Sequence, residues 1–176
     1  MKPPKHLLVA EDDLSLAELL RRSIAPYLPG SAVTHAVDGV EALDYLFARG
    51  QFQGRETGDP TLVLLDLSMP RMGGLETLQE IRSNPDFRHL PVVMMTSAMS
   101  ERNLADCYEA GASAFIVKPV EAREFRRAME ETIQFWMNRN EAPPGLVQNS
   151  SAAFAGGGLP FHDRNEKISS HPKLGR

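Results

Sequence analysis

The sequence predicts an α/β protein with a parallel sheet that helices cover on both faces. Three observations support this fold class. Short apolar runs alternate five times along residues 1–138 with longer segments whose apolar residues recur at helical spacing. The runs LVLLD and VVMMT are apolar without alternation, which is typical of strands buried on both faces. Residues 139–176 show neither period, so we expect one domain, 1–138, followed by a tail.

Each predicted strand is short, apolar and bounded by residues that favour turns. The third strand, for example, is preceded by a polar loop, residues 50–60, and is followed closely by a proline and two glycines. The five predicted strands cover residues 7–10, 31–36, 61–66, 91–96 and 114–117.

A predicted amphipathic helix follows each strand. Asp13 and Asp38 stand where N-terminal caps are expected, and Glu41 has the spacing of a capping box with Asp38. Gly111 ends the fourth helix, residues 101–110, as a C-terminal cap does. The apolar positions that define the other four helices are Leu16, Leu19, Leu20 and Ile24; Val40, Leu43 and Phe47; Leu75, Leu78 and Ile81; and Phe125, Met129, Ile133 and Trp136.

The composition argues against several classes of protein. A net charge of −4 and a pI near 5.7 provide no basic surface for nucleic acid. No apolar run has the length of a membrane span or of a secretory signal, so we expect no membrane association and a cytoplasmic location. Cys107 is the only cysteine, which excludes an internal disulfide and favours a partly buried helical position. The tail, 139–176, is rich in Pro, Gly and Ser and is predicted to be disordered.

Polar residues stand at the ends of four of the five predicted strands. Glu11 and Asp12 follow the first strand, Asp66 ends the third, and Thr96 and Lys118 mark the ends of the last two. The functional crevice of an open parallel sheet lies beyond the carboxyl ends of its strands, so we expect these side chains to share one edge.

This set of residues has a chemical interpretation and a structural one. Three adjacent carboxylates repel one another unless a cation intervenes, and oxygen ligands suit Mg²⁺. Asp66 would then be a nucleophile toward a phosphoryl group, and Lys118 would neutralise one of its oxygens. Taken singly, however, such residues are more often helix caps, turn residues or solvated charges. The chemical interpretation therefore depends on their convergence.

The motifs resemble the receiver domain of two-component response regulators, a family that includes the chemotaxis regulator. The match runs from about Lys5 to Trp136 and includes LLVAEDD, VDGVEAL, LVLLDLSMPRMGG, PVVMMTSA and AGASAFIVKP. The resemblance implies a flavodoxin-like, doubly wound (βα)5 sheet with strand order 2-1-3-4-5. It also implies a protein that is not an enzyme toward other substrates but catalyses its own phosphorylation and dephosphorylation.

The same resemblance implies a role for each polar residue. Asp66 would accept the phosphoryl group from a phosphohistidine of a sensor kinase. Thr96 and Lys118 would contact the bound group, and Thr96 with Phe115 would form the switch. Because Ser68 and Ala98 occupy positions that influence hydrolysis in the family, the phosphate lifetime stays open. The implied Mg²⁺ ligands are Glu11, Asp12, Asp66 and the backbone oxygen of Ser68.

A narrower resemblance concerns GQFQGRETGDP, SNPDFRHLPVV and IQFW, which look like segments of single-domain regulators partnered with bacterial phytochromes. It implies a red-light-sensing histidine kinase as phosphodonor and a homodimer built on the fourth helix, fifth strand and fifth helix. In a structural interpretation, Phe135 and Trp136 of IQFW simply complete the core under the last helix.

Several alternative functions stay open at this point. The protein could be a phosphorelay intermediate or a chemotaxis-like regulator for a kinase other than a phytochrome. A phosphatase of the haloacid dehalogenase type is disfavoured because Ser68 stands where that chemistry uses a second aspartate. A pseudo-receiver is disfavoured by the intact polar set. The tail could also fold on binding a partner, through Phe154 or Phe161.

Overall fold

The protein folds around a five-stranded parallel sheet with strand order β2-β1-β3-β4-β5. The computed structural model describes residues 5–28, 32–55 and 59–141. This topology confirms the predicted α/β fold and its strand order. The strands are β1 (Leu7–Ala10), β2 (Val33–Ala36), β3 (Leu62–Asp66), β4 (Val92–Thr96) and β5 (Ala114–Val117). The longer helices within the described ranges are α1 (Leu14–Ile24), α2 (Gly39–Leu46), α3 (Gly74–Ser83), α4 (Glu101–Glu109) and α5 (Ala122–Gln134).

The core consists of two layers, one on each face of the sheet. Alternate residues of each strand point to opposite faces, so Leu8 and Leu7 belong to different layers. Side chains of α2, α3 and α4 cover one face, and those of α1 and α5 cover the other. Because both faces are covered, the central strands are fully buried, which explains their unbroken apolar sequences.

The two predicted N-terminal caps, Asp13 and Asp38, are present. Asp13 Oδ1 accepts hydrogen bonds from the backbone N–H groups of Ser15 and Leu16, at 2.8 and 3.1 Å. Asp38 Oδ1 accepts from Glu41 N at 2.9 Å. The Glu41 carboxylate accepts from the N–H of Val37, one residue before the cap, so the capping box is displaced by one position.

Gly111 confirms the predicted end of the fourth helix, because its φ of +91° is a left-handed conformation that glycine adopts without strain.

Three of the predicted strands differ slightly at their first residues. The second begins at Val33, and the third and fourth begin one residue later than expected. Part of the polar loop forms a short 3₁₀ turn, Gly50–Phe52.

The residues that follow α5 complete the core differently from the structural interpretation of IQFW, in which Phe135 and Trp136 would both be buried. Phe125, Met129 and Ile133 of α5 are buried as predicted, and the chain continues as a π-helical turn, Phe135–Arg139. Trp136 packs against the core only partly, Phe135 is 50% exposed, and Met137 is the residue buried there. The helix passes into a wider turn at this point, which changes the residues that face the sheet.

Other sequence predictions have mixed outcomes. Cys107 is completely buried on α4, more deeply than expected. The predicted disorder of the tail concerns residues that lie, from 142 onward, outside the described part of the chain, and it stays a prediction. Phe154 and Phe161 also lie there. Across the described ranges, no helix has both the length and the apolar character needed to cross a membrane.

Candidate functional site

An open cleft of about 410 Å³ lies beyond the carboxyl ends of β1, β3, β4 and β5. Each βα unit places its strand end and the first turn of its helix at this edge of the sheet. A larger groove, of about 560 Å³, lies between α2 and α3 and shares no residue with the cleft. The cleft is lined by all six residues predicted to bind the metal or contact the phosphoryl group, and also by Ala98: Glu11, Asp12, Asp66, Ser68, Thr96 and Lys118 are the six.

Three carboxylates form the acidic part of the cleft. Oxygens of Glu11, Asp12 and Asp66 lie within 4.8 Å of one another, and no other such group of possible metal ligands occurs in the residues that the structure describes. Glu11 and Asp66 are buried, whereas Asp12 is exposed at the mouth. This all-oxygen set, partly buried and open on one side, fits a hard divalent cation that retains water ligands.

Lys118 supplies the positive charge among these groups. Its Nζ donates to Glu11 Oε2 at 2.6 Å and lies 2.9 Å from Asp66 Oδ1, and its side chain is only 6% exposed. The backbone N–H of Lys118 donates to Thr96 O at 2.7 Å, which extends the β4–β5 pairing by one residue and holds the lysine at the sheet edge. A buried ammonium group needs such partners, because removal from water is costly.

The electrostatics of the cleft favour a cation near Glu11. Burial raises the pKa of the Glu11 carboxyl above its usual range, and the negative charge of Asp66 contributes in the same direction. The hydrogen bond and the positive charge of Lys118 oppose this rise in pKa. One lysine thus faces three carboxylates, which leaves negative charge at the open side of the cleft.

The chain turns sharply after Asp66 because α3 packs directly against the end of β3. Leu67 N donates to Met95 O at 2.8 Å, and Gly74 N donates to Leu67 O at 3.0 Å. A Cβ on Gly74 would lie 2.2 Å from the backbone oxygen of Asp66. Glycine is therefore required at the start of α3, and this close packing explains the break in the sequence after the buried strand.

The two predicted switch residues lie at different depths. Thr96 is 3% exposed, and its hydroxyl donates to Ala98 O at 2.9 Å, within the loop between β4 and α4. Phe115 lies on β5, opposite Met94 of β4, and is partly buried against the α2–α4 layer rather than lining the cleft. The structure thus brings Thr96 to the cleft, whereas Phe115 is not part of the cleft lining.

Sequence reasoning missed other residues that line the cleft. Asn103 lies in the first turn of α4, and Leu16 lies on α1. Asp13, expected only as a cap, also borders the cleft. A usable signal was available, since the helix that follows each strand begins at the same sheet edge, so its first-turn residues are candidates for the site.

The fold and the acidic strand-end cluster together define a receiver-type protein. The family model described as the response regulator receiver domain matches residues 7–130, and the chain belongs to this family.

Similar proteins include response regulators, two of which are named for phytochromes. Response regulator Rcp1 of Synechocystis is 28% identical over 80% of this chain and 95% of Rcp1, and its Mn²⁺-bound crystal structure has a TM-score of 0.72. The phosphorylated cyanobacterial phytochrome response regulator RcpA gives a TM-score of 0.75 at 26% identity, over 80% of this chain and 99% of RcpA. The bacteriophytochrome response regulator AtBRR is 41% identical and has a TM-score of 0.61, and the match covers 73% of this chain and 91% of AtBRR.

Proposed function

We propose that this protein is a single-domain response regulator that accepts a phosphoryl group on Asp66 from a sensor histidine kinase. The main supporting observation is the position of the Asp66 carboxylate, which lies in an open cleft beside Lys118 and two further carboxylates. The phosphorylated domain then changes its contacts with other proteins. It acts on no other substrate, and it promotes its own phosphorylation and dephosphorylation.

The proposed transfer is a simple exchange of bonds. The phosphorus–nitrogen bond of a phosphohistidine breaks, a bond forms between phosphorus and a carboxylate oxygen of Asp66, and the histidine leaves with its electron pair. Lys118 Nζ, which already lies 2.9 Å from Asp66 Oδ1, neutralises charge on a phosphoryl oxygen. Bound Mg²⁺ would offset the negative charge that the carboxylates and the phosphoryl group bring together. Its proposed ligands are Glu11, Asp12, Asp66 and the backbone oxygen of Ser68.

The proposed switch begins at Thr96. A phosphoryl group on Asp66 offers the Thr96 hydroxyl a charged acceptor, which is stronger than the Ala98 carbonyl that it now contacts. Movement of the hydroxyl toward the phosphoryl group would free space for Phe115 and alter the surface of α4, β5 and α5. Coupling between two such sites is typically worth about 1–3 kcal/mol.

The proposed phosphodonor is a kinase of the phytochrome type. Support comes from the names of the related regulators, which include phytochrome and bacteriophytochrome response regulators. We also propose that the domain covers residues 1–138, that it acts in the cytoplasm, and that it forms a homodimer through α4, β5 and α5. Exposed apolar side chains on and beside these elements support the dimer: Tyr108, Val117, Val120 and Phe135.

A phosphorelay or chemotaxis-like role with another kinase is the alternative. It shares the same cleft and differs only in the donor, so phosphotransfer kinetics can separate the two. The purified protein would be mixed with an autophosphorylated phytochrome-type kinase or with an unrelated histidine kinase. We expect the first kinase to lose its phosphate to the protein faster, with EDTA abolishing transfer. Equal rates from both kinases would contradict the phytochrome assignment, and Asp66→Asn provides the control for the acceptor.

A further inference from the structure

A strained turn lies in the loop between β3 and α3, which we call the acceptor loop, residues 67–73. Arg71 has a φ of +60°, a conformation that non-glycine residues adopt rarely. The N–H of Met72 donates to Pro70 O at 2.7 Å, so Arg71 is the central residue of a three-residue turn. Turns of this kind with positive φ are strained, and they persist only where the surrounding structure holds them.

The contacts that hold this turn come from the start of α2. Both Nε and a terminal nitrogen of Arg71 contact Oδ2 of Asp38, with Nε at 2.5 Å. The N–H of Gly39 donates to Met72 O at 3.2 Å. Asp38 is itself fixed, because its side chain is 2% exposed and its other oxygen caps α2 by accepting from Glu41 N. The acceptor loop is therefore fastened to a rigid, buried carboxylate.

The start of α2 packs closely against the acceptor loop and restricts its movement. A Cβ on Gly39 would lie 1.9 Å from Thr77 Oγ1 and 2.8 Å from the backbone oxygen of Met72. The other end of the loop is fixed by the bond between Gly74 N and Leu67 O. Ser68 lies in the chain between Leu67, which bonds to Gly74, and Arg71, which contacts Asp38.

We propose that the Arg71–Asp38 ion pair positions the backbone of Ser68 beside the acidic part of the cleft, where a divalent cation would bind. The inference rests on the proposed function, because that function uses the backbone oxygen of Ser68 as a metal ligand. Without the ion pair, the turn at Arg71 relaxes toward ordinary backbone conformations and the Ser68 carbonyl moves relative to the Asp66 carboxylate. Groups that hold ligands in place typically affect metal affinity by about 10- to 100-fold.

The experiment is calorimetric titration of the full-length protein with Mg²⁺. Arg71→Ala is the principal variant, because it removes the ion pair and leaves at position 71 a residue for which the positive φ is strained, so nothing then holds the turn. Asp38→Asn is the second variant, because it removes the charge and retains an oxygen to cap α2. Arg102→Ala is the matched control, since its side chain is 90% exposed on α4.

We expect both variants to raise the Kd for Mg²⁺ by about tenfold, at a temperature where circular dichroism shows each to be fully folded. The double variant should be no weaker than the single ones, because both remove the same interaction. Arg102→Ala should bind as the wild type does. A purely structural ion pair would lower the melting temperature and leave the Kd unchanged.

Wild-type affinity in either variant overturns the positioning role. Failure of the wild type itself to bind Mg²⁺ overturns this inference together with the metal site of the proposed function. If Mg²⁺ binding depends on Arg71 but Asp66 never takes a phosphoryl group, the positioning role stands and the proposed function fails.

Discussion

At the scale of single residues, the cleft combines groups that are costly alone and compatible together. Lys118 satisfies two buried carboxylates at once, and Asp12 leaves the cluster open to solvent on one side. The arrangement places the Asp66 carboxylate beside a positive charge, in a cleft that an incoming phosphoryl group can reach. It also explains why no single residue of the set could identify the site in the sequence.

A second buried polar group lies at the other ends of the strands, directly before β1. His6 is 7% exposed, its ring stacks on Tyr45, and its Nε2 lies 2.9 Å from both Thr34 Oγ1 and Tyr45 Oη. Burial lowers the pKa of His6 below its usual 6.5, and the positive charge of Arg55 lowers it further.

This lowered pKa predicts a pH dependence of stability. The unfolded chain takes up a proton on His6 at a higher pH than the folded protein does, so protonation favours unfolding. The free energy of unfolding should therefore fall as pH drops through about 6.5. The loss should stop once pH is below the folded pKa. Urea denaturation from about pH 7.5 to about pH 5.5 measures this slope.

The controls for this slope are two histidine variants. His6→Gln should lose the His6 contribution and show a flatter profile than the wild type. His89→Gln, at an exposed position, should retain the wild-type slope. Parallel profiles for the wild type and His6→Gln would show that His6 is not the group responsible.

At the scale of the elements, the junction of β3 and α3 is the least tolerant feature of the site. We expect Gly74→Ala to lower the free energy of unfolding by roughly 1–3 kcal/mol or more, because the new Cβ would overlap the Asp66 carbonyl. Urea denaturation at constant pH measures the change.

Gly73→Ala is the matched control for this substitution. A Cβ there would lie 3.3 Å from Leu67 O, a tight contact that a small shift relieves, and the φ of −76° suits alanine. We expect a clearly smaller loss of stability than for Gly74→Ala. Equal losses in the two variants would mean that the packing of α3 against the strand end is not what requires glycine at position 74.

The elements also show which features the sequence could predict. The sequence predicts the strand ends because unbroken apolar runs stop at charged residues, which places Asp66 and Lys118 at the same edge of the sheet. The Arg71–Asp38 pair could not be foreseen, because it needs a positive φ in a loop whose residues include no signal for it. The same holds for Phe135, since a π-helical turn changes which side chains face the core.

At the scale of the whole molecule, the predicted dimer surface can be tested on the exposed face of the last two units. Val117 is 42% exposed at the end of β5, at the outer edge of the sheet. We expect Val117→Glu to dissociate the dimer, because two like charges would be buried in a symmetric interface. Sedimentation velocity measures the oligomeric state.

Val37→Glu is a suitable control for the dimer experiment. Val37 is similarly exposed, at 40%, and follows β2 at the opposite edge of the sheet. This variant should sediment as the wild type does. A wild type that sediments as a monomer at all concentrations, both before and after phosphorylation, would exclude the proposed dimer.

The proposed function requires Asp66 to accept a phosphoryl group with the help of a divalent cation. The most direct test is the intact mass of the protein after incubation with a small-molecule phosphodonor, with and without Mg²⁺, for the wild type and Asp66→Asn. We expect one phosphate adduct on the wild type in Mg²⁺ and none on the variant or in EDTA. An adduct that persists in Asp66→Asn would contradict the proposed acceptor. A fully folded wild type that takes no phosphate from either the small donor or a phosphorylated phytochrome-type kinase would contradict the proposed function.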